Sequence, residues 1–169
     1  MARQLIVAHQ TAESPELIRH VHEVIAEDSE AEFVLLVPAT PARELRTGET
    51  GPGQAIAGIR GGSAAALLRA AGAHVCRVAV GDRDPAKAAG AEVESHPGEY
   101  SGVIVVTLPA GFSRWLRRVL PHQVASRVGL PVTHVVAHSS GDAPVPAGAE
   151  HGLSRTGALQ EFLQETQPR

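Results

Sequence analysis

With 169 residues, 43% of them hydrophobic and 20% charged, the chain suits one soluble domain with a sizeable core. A net charge of −3 gives no general reason to expect nucleic acid, and Lys87 is the only lysine, which excludes a Walker-type phosphate loop or any mechanism needing a second lysine. Cys76 stands alone, so no intramolecular disulfide or multi-cysteine zinc site can form, and no apolar run suits a membrane span or signal peptide; the expected location is the cytoplasm.

The chain opens on a short apolar run, Arg3–Ala8, which reads as a central parallel strand. Ser14-Pro15-Glu16 starts a helix: a side-chain cap, proline in the first turn, and an acid facing the helix dipole. Leu17, Ile18, Val21, Val24 and Ile25 then fall on one helical face. Glu32–Val37 is the second strand, stopped by Pro38. The next section, Pro38–Gly62, carries six glycines from Gly48 onward and reads as a long surface loop, with a helical turn at Pro41–Arg46. Ser63 caps a helix through Ala71, which Gly72 ends.

His74–Val80 alternates like a strand, with Cys76 as a simple strand residue. Asp84 and Pro85 open a helix to about Ser95, weakened at Gly90 by roughly 1 kcal/mol relative to alanine. Gly102–Thr107 is a buried strand. Ser113 caps a short helix that Pro121 breaks, and a fresh helix runs to Val128. Pro131–Ala137 is the fifth strand. These elements make residues 1–138 an open α/β domain with a parallel sheet covered by helices on both faces. Residues 139–169 read as a Gly/Pro-rich linker and a C-terminal helix or tail, with Leu159, Phe162 and Leu163 at helical spacing.

Three pieces together resemble the universal stress protein family: RQLIVA at the start, AAGAHVCRVAVGDRDP at Ala70–Pro85, and GFSRW…RVGLPVTHVV between Gly111 and Val136. The resemblance covers most of Arg3–Ala137. It implies a five-stranded, Rossmann-like sheet of order 3-2-1-4-5, of the adenine nucleotide alpha hydrolase type, and a homodimer formed through the last strand, Pro131–Ala137. The ATP-binding branch of that family has an acid after strand one and a loop of the form G-x2-G-x9-G-[ST]; its glycines let backbone N–H groups approach phosphate. Here His9 stands where the acid belongs. Aligning the last strands puts Arg118-Val119 at the final Gly-[ST] pair, and the upstream glycines fall near Val105 and Leu108.

The expected crevice lies at the carboxyl end of the strands, where open α/β sheets bind ligands. Its candidate residues are His9, Thr11, Val37, Thr107, Gly111, Ser113 and Arg114. The Gly111 turn with Arg114 reads either as an anion contact at a helix start or as a capped helix with a solvated basic face. Gly58-x-x-Gly61-Gly62-Ser63 has no strand directly before it, as a dinucleotide fingerprint requires, and reads as flexible loop. Nine histidines invite a metal reading; His20 and His22 point to different faces, whereas His134 and His138 bracket a strand end without a matching ligand group. Trp115 among Arg114, Arg117 and Arg118 suits core packing better than base stacking. No nucleophile–base pair stands out.

The expectation is therefore a regulatory or binding domain without standard ATP chemistry, not an enzyme, that acts in a stress response as a homodimer or with a protein partner. The alternative is ATP or AMP held by a divergent phosphate loop, with at most slow hydrolysis. No metal, specific nucleic acid or membrane is expected as a partner.

Overall fold

A computed structural model describes residues 2–39, 53–108 and 114–138, with backbone only for 114–118. In chain order the elements are β1 (Arg3–Val7), α1 (Pro15–Glu27), β2 (Glu32–Pro38), α2 (Gly53–Ala70), β3 (His74–Gly81), α3 (Pro85–Ser95), β4 (Gly102–Thr107), α4 (Arg114–Val128) and β5 (Val132–Val136). All strand pairings are parallel and the order is β3-β2-β1-β4-β5. The expected α/β architecture and strand order are what the chain adopts.

Alternation along the central strands builds two cores. Ile6, Phe33, Leu35, Val37, Ile104 and Val106 face α1 and α2. Leu5, Val7, Val34, Leu36, Val103 and Val105 face α3 and α4. Burying such a side chain contributes about 1.5–3 kcal/mol, so the unbroken apolar runs of β1, β2 and β4 are the main reason these segments lie in the middle. Two of the expected caps hold: Ser14 Oγ accepts from Leu17 N–H, and Asp84 Oδ1 accepts from Ala86 and Lys87 N–H; Ser63 instead lies inside α2, and Ser113 lies outside the described residues. Gly72, at φ 91°, ends α2 in the left-handed conformation that glycine adopts without strain.

Two expectations are corrected. The loop expected over Pro38–Gly62 gives way to α2 at Gly53, not at Ser63, so Gly53, Gly58, Gly61 and Gly62 are helical. Ile56, Ala57, Gly61, Ala64, Ala65 and Leu68 form its buried stripe. A Cβ on Gly61 would stand 2.7 Å from Val78 Cγ1 and 3.2 Å from Val37 Cγ2, so a bare backbone is what lets α2 lie against β2 and β3. Likewise α4 runs unbroken through Pro121. An interior proline costs about 3 kcal/mol; Leu120 and Val124, buried against the sheet on either side of it, offset that cost. The Pro41–Arg46 turn and all of 139–169 lie outside the described residues.

The edge strand β3 carries a bulge. Phe33 pairs with Val75 and Val34 with Arg77, which leaves Cys76 as the extra residue. Its thiol donates to Phe33 O at 3.3 Å, at the point where the ladder is interrupted.

At the amino ends of the strands the charges pair with one another. Arg3 binds Glu32 at 2.6 Å and Glu99 at 2.5 Å, and His74 lies 3.6 Å from the other Glu32 oxygen. The Arg3 hydrogen bond holds the Glu32 carboxyl below its ordinary pKa. Beneath α3, Glu92 Oε1 accepts from Arg77 and from the Tyr100 hydroxyl. Burial and that bond to Glu92 raise the pKa of Tyr100.

Three of the four α2 glycines give a test of helix seating. Gly61→Ala should lower stability by about 1–2 kcal/mol in urea denaturation, because the clash outweighs the propensity gain. Gly58→Ala and Gly62→Ala, with nothing within 4 Å of the added carbon, should each raise it by about 0.5–1 kcal/mol. Equal effects at the three positions would contradict the close approach.

Candidate functional site

The carboxyl ends of β1 and β4 meet where the chain reverses its direction of travel across the sheet, the position at which open α/β sheets form a crevice. His9 and Thr11 occupy the turn after β1, which closes on itself through Ala12 N–H to His9 O and Ser14 N–H to Thr11 O, both 3.1 Å. The Thr11 hydroxyl is buried and donates to Val106 O at 3.1 Å, so it ties this turn to β4. Thr107 ends β4. Its hydroxyl shares a 2.8 Å hydrogen bond with His134 Nε2 on β5, and its carbonyl accepts from Ala137 N–H at 2.8 Å. With Thr107 only 8% exposed, that hydroxyl is a cross-strand tie and not an accessible nucleophile.

Glu16, in the first turn of α1, reaches the same rim. Its Oε1 accepts from His138 Nδ1 at 3.0 Å, which fastens the chain leaving β5 onto the start of α1. Burial pushes the Glu16 carboxyl up, but hydrogen bonds from its own N–H and from His138 outweigh this and hold it below its ordinary value. A carboxylate thus occupies the electropositive end of α1.

Of the seven candidate residues, the fold brings His9, Thr11 and Thr107 to this rim. Val37 goes elsewhere: it is wholly buried under α2 and pairs with Val80, so its side chain belongs to the core. Arg114 begins α4, but its side chain, like Gly111 and Ser113, lies outside the described residues. The side chains of Trp115, Arg117 and Arg118 lie there too. Sequence reasoning missed Glu16, His134 and His138 as rim residues. Glu16 was legible only as a dipole acid. The two histidines were legible as a four-residue pair, yet each meets a different element, His134 on β4 and His138 on α1. Among the described residues, no three metal-binding side chains come together. His20 pairs with Glu23 at 3.0 Å and His22 with Ala71 O at 2.8 Å, on separate partners.

Because the Glu16 pKa is depressed on folding, its contribution is complete above the ordinary value of 4.5 and is lost as pH falls through the lower folded value. Glu16→Gln should therefore cost about 1 kcal/mol at neutral pH, with the gap to wild type closing in acid. A gap of constant size in urea titrations at neutral and acid pH would refute the coupling.

No protein-family profile matches the chain, and no curated protein sequence does. Solved structures do. A universal stress protein from Archaeoglobus fulgidus superposes with a TM-score of 0.52 at 11% identity, covering 80% of this chain and 93% of its own. A universal stress protein family protein from Arabidopsis thaliana, with AMP bound, gives 0.54 at 13% identity, covering 87% and 99%. The chain has the fold of the universal stress proteins.

Proposed function

We propose that this protein is a non-catalytic binding or regulatory domain of universal-stress-protein type, whose ligand crevice at β1 and β4 does not hold ATP in the family's usual way. The observation that carries the reading is the position of Val105, aligned with the first glycine of the phosphate loop. It lies inside β4, fully buried and paired with both Val7 and His134, where no backbone N–H can turn toward a phosphate. Two further features agree. The Thr11 hydroxyl is committed to Val106, and the Glu16 carboxylate holds the start of α1 with a charge that repels anions. The domain acts as a homodimer through β5, an edge strand with Thr133 and His134 exposed, in a cytoplasmic stress response.

A second reading is favoured by the AMP bound to the Arabidopsis thaliana protein of the same fold. In it, an adenine nucleotide occupies the crevice with its phosphates at the Gly111 turn and Arg114. Calorimetric titration of nucleotide-free protein with ATP and magnesium, and with AMP, decides between them. The first reading expects no saturable heat and no thermal stabilisation at millimolar nucleotide. Micromolar binding abolished by Arg114→Ala would establish the second, and micromolar binding indifferent to that substitution would sink the first while moving the phosphates elsewhere.

A further inference from the structure

Helix α2 is short of polar residues on every side, the pattern of a covered helix and not of one that meets solvent. Its outer stripe, at helical spacing, is Ala55, Ile59, Ser63, Ala66, Leu67 and Ala70, all exposed. Its only charged residues, Arg60 and Arg69, fall to the sides of that stripe, and Arg69 is turned onto Val75 O at 2.7 Å. The neighbouring α1 shows a solvated face by contrast: Arg19, His22, Glu23 and Glu27 all stand exposed. Among the described residues three large apolar side chains are exposed, and all belong to this part of the molecule. Ile59, at 74%, and Leu67 are on α2, and Val80 is on β3, the strand against which α2 lies.

The chain carries a segment that matches this stripe. Residues 156–165 read TGALQEFLQE: Leu159, Phe162 and Leu163 fall on one helical face, and Gln160, Glu161, Gln164 and Glu165 on the other. As a helix the segment is about 15 Å long, and Ile59 and Leu67 stand about 12 Å apart along α2. It holds two acids and no base, whereas α2 holds two arginines and no acid. Laid on α2, it covers the apolar stripe and turns a polar face to solvent in its place.

The point of departure is also right. The chain leaves β5 through His138, fastened to Glu16 at the start of α1, and α2 begins at that same carboxyl rim. Because α2 lies over β2 and β3, it is three to four strand spacings from β5, about 15–19 Å. Residues 139–155, rich in glycine and proline, relax to an end-to-end distance of about 20–25 Å. A linker whose relaxed length suits the span gives its segment an effective concentration near millimolar, which favours it over a second copy or a separate partner.

We propose that residues 156–165 dock as a helix on the outer stripe of α2 in the same chain, with Leu159, Phe162 and Leu163 against Ile59 and Leu67. The test is amide hydrogen exchange of the full chain, compared with Ile59→Glu and with Leu163→Glu. In the unsubstituted chain the amides of residues 160–165 should exchange at least about tenfold more slowly than those of an unstructured peptide. Either substitution should return them to the unstructured rate, because each puts a charge into the apolar contact. Ile59→Glu keeps the fold, since the side chain it replaces is largely exposed and glutamate suits a helix; unchanged exchange in β1 and β4 verifies this. Tenfold dilution should leave the protection as it is. Absence of protection overturns the proposal, and so does protection that survives Ile59→Glu. Protection that falls on dilution assigns the stripe to a second copy and overturns it as well.

Discussion

Everything in this molecule follows from one constraint: β1 is covered on both faces. Leu5, Ile6 and Val7 alternate between two cores and are at most 2% exposed, and their neighbours on β2 and β4 are equally enclosed. A strand in that position has no face left for a ligand, and a buried polar side chain there would need a partner that the apolar layers do not supply. Recognition is pushed to the two rims of the sheet and to the outer surfaces of the helices.

The rims divide the labour. At the amino rim Arg3 on β1 is shared by Glu32 on β2 and Glu99 ahead of β4, with His74 of β3 beside Glu32, which ties the starts of the strands together. At the carboxyl rim the polar groups bond mainly to backbone or across elements. Thr11 holds the first turn to β4, Thr107 holds β4 to His134, and Glu16 holds His138 to α1. These three ties brace the rim as a preformed frame around the crevice. They also set its character, since a carboxylate stands at a helix start where related folds are free to present bare N–H groups.

The sequence made the layered sheet, its direction and most element boundaries readable, because apolar runs and proline or side-chain caps act locally. Gly102–Thr107 is a strand in both readings, and Ser14 and Asp84 cap as their types demand. What stayed hidden is tertiary. Gly61 and Gly90 look like loop or weak-helix residues until the neighbours that need their missing side chains, Val78 and Arg127, are in place. Pro121 looks like a helix break until burial of Leu120 and Val124 is counted. Val37 looked like a rim residue because it ends an apolar run, yet parity of the strand turns it under α2. The rim itself was half legible: His9, Thr11 and Thr107 follow from strand ends, whereas Glu16, His134 and His138 depend on which helix and edge strand converge there.

The bulge at Cys76 bears on how copies of this chain can assemble. A sheet with two regular edges offers two templates, and head-to-tail use of both gives open-ended growth. Here β3 shifts register against β2 at Cys76, while β5 pairs with β4 without interruption. In the proposed dimer a single two-fold contact through β5 uses up that regular edge, and the bulged edge offers no second regular template for head-to-tail growth.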